Sequence, residues 1–343
     1  MKPLLNTLYV TTDGAYLACK RETVCVRVER ETKAQFPIHL LEGIVCLGRV
    51  AVSPRLLELC GKSGVSLSLL TSSGKFIARF HGPTTGNVLL RRAQYRQADD
   101  PVRAAEIAWA IVIGKISNSR NVLMRAARER TDDGLAEELR RAARNLADVL
   151  QTLQSRLALE VVRGHEGEAA AAYFAVFDHL ITTEKDVFRF EKRTRRPPLD
   201  PVNALLSFLY TLVLHDCVGA AEAVGLDPYV GFLHRDRPGR PGLALDLMEE
   251  LRPILADRLV LSLINRRQVV AGGFRKTESG AVLMDDATRK EVLIAYQTRK
   301  QDTIHHPFID EDVPLGLLPH VQALLMARHL RGDLDGYPPF LLK

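Results

Sequence analysis

Gly231-Phe232-Leu233-His234-Arg235-Asp236-Arg237-Pro238-Gly239-Arg240-Pro241-Gly242-Leu243-Ala244-Leu245-Asp246-Leu247-Met248-Glu249-Glu250-Leu251-Arg252-Pro253 is the stretch on which the reading of this chain turns. Its first half is rich in Gly, Pro and Arg and reads as a loop holding one histidine. Its second half predicts a helix over 243–250, with another over 252–267. Asp246 and Glu249 are three apart and share one helix face. One imidazole and two carboxylates can therefore converge, ringed by Arg235, Arg237 and Arg240. That set suits a divalent metal that handles phosphate. Asp246 lies in a mostly apolar run, and a buried carboxylate must be paired or bind metal. Glu250 flanks Glu249 and points elsewhere.

A second acidic element lies upstream, in Arg163-Gly164-His165-Glu166-Gly167-Glu168. Here acidic residues are expected to open a helix over about 166–181, after one over 154–163, at the positive end of the helix dipole. A glutamate in that position is commonly no more than a dipole partner. The flanking glycines, which permit close approach, and the Ala169–Ala172 run, which permits close helix packing, favour a fixed arm that joins His234 and Glu249.

Composition sets the frame. The chain has 343 residues, 46% hydrophobic and 26% charged, enough for two or three domains of ordinary globular character. The apolar stretches at 107–113 and 205–214 read as too short or interrupted to cross a bilayer, and the N-terminus has no signal-peptide pattern. The expectation is a cytoplasmic protein with no membrane partner. Cys19, Cys25, Cys46, Cys60 and Cys217 are odd in number and scattered, with no C-x-x-C spacing, so they read as buried free thiols. Net charge is +6, and arginine supplies 35 of the 47 Lys and Arg residues. Arginine suits phosphate, though a GC-rich genome gives the same excess.

The fold class reads as α+β: a small N-terminal β-rich, sandwich-like domain over 1–86, then a larger all-helical catalytic domain over 87–343. Short apolar or alternating runs at 5–9, 16–20, 24–28, 43–47, 65–70 and 76–80 predict strands, with a turn at 71–74. Ser53 and Pro54 predict a helix start. The boundary falls in Gly82-Pro83-Thr84-Thr85-Gly86. Beyond it Asp100-Pro101 opens a helix, 135–153 repeats apolar residues at helical spacing, and 201–216 predicts a further helix. A short hairpin is expected at 273–284. Arg189, Lys192, Arg193, Arg195 and Arg196 read as either a solvated loop or a phosphate clamp. Asn203 and Tyr210 share a helix face, for substrate or for packing. His305 and His306 are adjacent and point apart. No P-loop and no Gly-x-Ser-x-Gly elbow is present.

Four motifs in order carry a resemblance. They are Arg163-Gly-x-Glu-Gly-x-x-Ala170, Arg195-x-Pro-Pro-x-Asp-x-x-Asn-Ala-Leu-Leu-Ser-Phe-x-Tyr210, Gly225-Leu-Asp-Pro-x-x-Gly-Phe-Leu-His234 and Leu243-Ala-Leu-Asp-Leu-Met-Glu-Glu-x-Arg-Pro253. The chain resembles the universal integrase family of CRISPR adaptation, the first of the numbered Cas proteins. The β domain matches by layout only. The resemblance implies an Mg²⁺ or Mn²⁺ site on Glu166, His234 and Glu249, with Asp246 as a supporting catalytic carboxylate. It implies DNA contacts by Arg163, Arg193, Arg195, Arg196, Arg235 and Arg252. It further implies a homodimer through the β domain and a heterohexamer with a dimer of the second universal Cas protein. In that assembly a prespacer 3′-hydroxyl attacks a phosphodiester of the CRISPR repeat, with endonuclease and disintegration activity at the same site. A stand-alone metal-dependent nuclease for branched DNA and a non-catalytic DNA-binding scaffold are the alternatives.

Overall fold

The structure is a computed structural model that describes residues 7–41, 43–71, 76–80, 82, 87–153 and 157–342. The chain divides into two compact units, Met1–Gly86 and Asn87–Lys343.

Among its described residues the first unit holds two four-stranded sheets, one α-helix and a short 3-10 turn at Ile38–Leu40. Strands β1 (Thr7–Val10), β2 (Tyr16–Lys20), β3 (Thr23–Val28), β4 (Glu31–Pro37), β5 (Gly43–Leu47) and β6 (Ala51–Val52) precede helix α1 (Pro54–Ser63). Strands β7 (Ser66–Leu70) and β8 (Phe76–Phe80) follow. One sheet runs β1-β5-β7-β8 and the other β4-β3-β2-β6. β5 is buried at all five positions, as a central parallel strand should be. Ser53 caps α1, accepting from the Leu56 N–H, and Gly64 ends it in the left-handed region at φ 68°. Strands β7 and β8 pair antiparallel; of the turn expected between them at 71–74, residues 72–74 lie outside the described set. Most of the expected linker, 83–86, also lies outside it. β4 was not anticipated.

The second unit is mainly helical, in keeping with the expected α+β class. Its elements are α2 (Val88–Asp99), α3 (Pro101–Glu129), α4 (Asp133–Thr152), α5 (Leu159–Ala175), α6 (Pro201–Val224), α7 (Gly242–Arg252) and α8 (Arg258–Asn265). Then come the ribbon β9 (Phe274–Lys276) and β10 (Val282–Met284), helix α9 (Asp286–Gln301), the ribbon β11 (Thr303–His306) and β12 (Glu311–Pro314), and α10 (Leu318–Arg331). The first ribbon falls at the expected hairpin; the second was not anticipated. Asp100 caps the 29-residue α3, accepting from Val102 and Arg103. α3 packs on α4, α5 and α7, and α6 packs on α7 and α10. α6 is, by length and composition, long and apolar enough to cross a membrane, contrary to the reading of 205–214 as an interrupted run. In this fold 56% of its most apolar window is buried. Each fully buried leucine there, such as Leu205 or Leu209, contributes roughly 1.5–3 kcal/mol.

The described cysteines are free, and all but the half-buried Cys19 are buried. His305 is exposed beside Asp310 and Asp312, whereas buried His306 pairs with Gln322. A π segment, Pro253–Asp257, joins α7 to α8, so the two expected helices form one continuous rod.

Behind α7 the chain after α10 is pinned to Glu250. Tyr337 Oη, the Phe340 N–H and Gln322 Nε2 donate to its carboxylate. Asn118 on α3 donates to the Glu250 and Phe340 carbonyls at 2.8 and 2.9 Å. Burial pushes the Glu250 carboxyl up to about 7, against the lowering effect of those donors. A folded pKa above the unfolded one means stability that is complete below the ordinary carboxylate range and is lost as pH rises through about 7. The loss is on the order of 3 kcal/mol by pH ~8. Denaturant midpoints of metal-free protein at pH ~5 and ~8 should show this decline, and Glu250→Gln should lack it; an equal decline in the variant would contradict the assignment.

Candidate active site

The sequence places Asp246 one turn into α7, under the loop 231–234. Gly231 and Gly242 make that approach possible. A Cβ on Gly231 would lie 2.6 Å from the Gly242 carbonyl carbon and 2.7 Å from Asp246 Oδ2. The Asp246 carboxylate, fully buried, accepts the backbone N–H groups of Phe232, Leu233 and His234 at 2.6, 3.0 and 3.0 Å. Its Oδ1 also lies 2.6 Å from His234 Nδ1. That contact fixes the imidazole and turns Nε2 toward Glu249 Oε1, 3.6 Å away.

Glu166 comes from α5, and the structure corrects its expected setting. The helix begins at Leu159, two turns earlier, so Glu166 lies inside it and not at its N-terminus. The glycines at 164 and 167 do not break the helix; an added Cβ at either would meet nothing within 4 Å, so they leave the surface around Glu166 bare. Glu160 occupies the first turn instead.

Glu166 and Glu249 meet at one ammonium group. Lys115 Nζ, from α3, contacts Glu166 Oε1 and lies 2.6 Å from Glu249 Oε2. The second contact is ionic and not a directed hydrogen bond: Glu249 Oε2 is buried and accepts none of acceptable geometry. Arg252 Nη1 lies 2.8 Å from Glu249 Oε1. Burial by itself would raise the Glu249 carboxyl, but Arg252, Lys115 and His234 together hold it well below the ordinary carboxylate range. Lys115 was absent from the sequence-based set of site residues. Its signal was available: a lone lysine in the apolar stretch 107–116 poses the same question as Asp246.

The expected arginines divide. Arg193 is tied to Asn203 Oδ1 and Ser207 Oγ, and Arg163 donates to the Leu233 carbonyl. Arg252 and Arg193 lie 5.0 and 5.2 Å from the Tyr210 ring centroid. Tyr210 and Tyr173 donate to buried Asp257 in the π segment, at 2.7 and 3.1 Å. Burial pushes that carboxyl up to about 6 against the tyrosine donors. Asn203 is wholly buried and holds the 192–194 loop through Lys192 and Thr194, so it packs and caps. Arg195, Arg196 and Arg235 are exposed. A cleft with about 30 Å³ of water-accessible space lies among Lys115, Tyr173, Arg195, Tyr210, Arg252 and Asp257.

Among the described residues, no three His, Cys, Asp or Glu side chains already stand arranged to hold a metal ion. The donor set that could do so is Glu166, Glu249 and His234 Nε2. Its chemistry, two carboxylates and one imidazole, fits Mg²⁺ or Mn²⁺. Glu249 Oε2 already faces a cation, the Lys115 ammonium group at 2.6 Å. Asp246 is occupied by the loop and stands behind His234.

The architecture defines a class, a β-rich unit followed by a helical one. It matches a solved CAS1 protein from Thermotoga maritima at TM-score 0.80 and 24% identity, over 95% of this chain and 97% of that one. It matches a casposase solved bound to integration product at TM-score 0.83 and 20% identity, over 98% and 94%. The family model described as CRISPR associated protein Cas1 matches residues 8–298. A CRISPR-associated endonuclease Cas1 from Chlorobaculum tepidum is 53% identical over 341 residues, 99% of each chain. The chain belongs to the CRISPR-associated Cas1 family, as the four motifs had indicated.

Asp246 carries a testable load. Asp246→Ala should lower unfolding stability by about 3–5 kcal/mol, because three backbone donors and an imidazole lose a buried acceptor. Asp246→Asn should lie between wild type and that loss. A change under ~1 kcal/mol in chemical denaturation would show that the 231–234 loop does not depend on this carboxylate.

Proposed function

We propose that this protein is a metal-dependent DNA integrase of CRISPR adaptation, joining prespacer 3′-ends to the CRISPR repeat. The observation that carries the reading is the convergence of Glu166 and Glu249 on one cation, with His234 Nε2 beside them, in a chain of this family. Glu166, Glu249 and His234 would hold Mg²⁺ or Mn²⁺. Bound there, the ion supplies Lewis acidity to the scissile phosphate and acidifies the attacking hydroxyl.

The chain's own groups do the rest. Asp246 holds His234 in one orientation, and Arg252 holds Glu249. Arg195, Arg196 and Arg235, exposed around the site, grip the DNA backbone; Arg163 steadies the loop that carries His234. The prespacer 3′-oxygen attacks the phosphorus at the repeat's edge, one P–O bond forms to the repeat, and the bond from that phosphorus to the flanking strand's 3′-oxygen breaks. The attacking hydroxyl gives up its proton and the leaving oxygen takes one up. Bond count is unchanged, so the same site reverses the reaction on branched DNA. His234 serves as a ligand; proton transfer to the leaving oxygen is its alternative role.

The protein acts in the cytoplasm as a homodimer through its β unit. Exposed Phe76 and Ile77 on β8 support a protein contact there. Two dimers flank a dimer of the second universal Cas protein and bind the prespacer duplex. A second reading, hydrolytic cutting of branched DNA, is supported by the endonuclease name of the Chlorobaculum relative.

Incubation with Mn²⁺, a 3′-hydroxyl duplex and a supercoiled plasmid bearing a repeat should yield joined products. Glu166→Ala, His234→Ala and Glu249→Ala should each lower joining by at least about 10²-fold, while electrophoretic shifts persist. Wild-type joining in any of the three would sink the assignment, and release of cut strands without joining would favour the hydrolytic reading. Arg195→Ala with Arg196→Ala should instead weaken binding and reduce the slope of log K against log salt by about 1–2. An unchanged slope would remove those arginines from the DNA path.

A further inference from the structure

We propose that Lys115 is a built-in cation of this centre: its ammonium group holds Glu166 and Glu249 together in the metal-free protein, and a divalent ion binds by displacing it. The inference rests on the metal-binding reading above and concerns how that site is kept ready.

Lys115 is the only group that touches both carboxylates among the described contacts. Its side chain is 12% exposed, and that of Glu249 is 3% exposed. Glu249 is buried, and Glu166, with its side chain 27% exposed, reaches the same ammonium group. Two carboxylates so placed repel each other, and in the absence of metal a cation between them relieves that repulsion. Arginine in that place would be rigid and bidentate. Lysine is a point charge on a four-carbon stem and can withdraw without moving α3. The adjoining cleft, which Lys115 itself lines, gives the ammonium group a place to go.

Charge then acts as a gate. Glu166 and Glu249 are matched in number by Lys115 and Arg252, so these four groups cancel. When a divalent ion takes the carboxylates, Lys115 keeps its charge and the same groups become net positive. The centre would attract a phosphodiester strongly only after metal has entered. The ammonium group also explains why the acidic side chains are not preassembled into a metal cage.

The test is calorimetric titration of Mn²⁺ into the full metal-free chain and into Lys115→Met, which keeps the stem and removes the charge. The variant should melt lower in EDTA, bind Mn²⁺ roughly tenfold tighter, and gain more in melting temperature on metal addition than wild type. Unchanged or weaker Mn²⁺ affinity overturns the proposal. Wild type supplies a second measurement in case the variant does not fold. Acetylation of Lys115, followed by peptide mass spectrometry, should accelerate several-fold when Mg²⁺ is added; unchanged protection overturns the displacement. Glu166→Gln and Glu249→Gln separate the two readings. Mn²⁺ uptake that needs both carboxylates but ignores Lys115 sinks the displacement alone. No uptake by wild type, or equal uptake without the carboxylates, sinks the metal site and the displacement with it.

Discussion

A single buried carboxylate organises the candidate site. Asp246 receives three consecutive backbone N–H groups and the His234 imidazole, so it fixes the loop and the ring in one act. Each such bond to a charged acceptor contributes about 1.5–3 kcal/mol, and a buried charge with fewer donors would be costly. The close approach this needs exists because Gly231 and Gly242 leave room for backbone against backbone. The orientation of His234 is thus set from behind, by a carboxylate buried beneath the loop.

Much of the fold was legible because local chemistry and tertiary structure agree. Ser53-Pro54 and Asp100-Pro101 are capping signals that no distant contact overrides, and both helices start there. β5 was legible as an unbroken apolar run. β4 was not: Glu31, Thr32, Lys33 and Gln35 are exposed along a sheet edge, and charged edge strands lack the alternation that marks a half-buried one. α5 was misread because Gly164 and Gly167 look like a break. A helix carries glycine at about 1 kcal/mol each when packing against a neighbour such as α3 sustains it.

At the site, the residues clustered in sequence were easier to find than those brought in from afar. His234, Asp246 and Glu249 lie within sixteen residues, so a loop histidine beside a helix face shared by the two carboxylates could be read directly. Lys115 lies 51 residues before Glu166 and reaches the centre only through helix packing. The arginines show the reverse limit. The family resemblance implied DNA contacts for Arg193 and Arg252 alike, yet Arg193 is fastened to Asn203 and Ser207, and Arg252 to Glu249. Which arginine faces solvent is a property of tertiary structure.

Glu249 and Glu250 are neighbours that serve opposite faces of α7. One faces Lys115, Arg252 and His234; the other is nailed to the chain's closing segment by Tyr337, Phe340 and Gln322. Successive helical residues are separated by about 100° around the axis. A roll of that size would carry Glu249 off its present bearing and away from Lys115 and Arg252. The rear fastening therefore works like a keyway on a shaft: α7 has no rotational play, and its front carboxylate keeps its bearing.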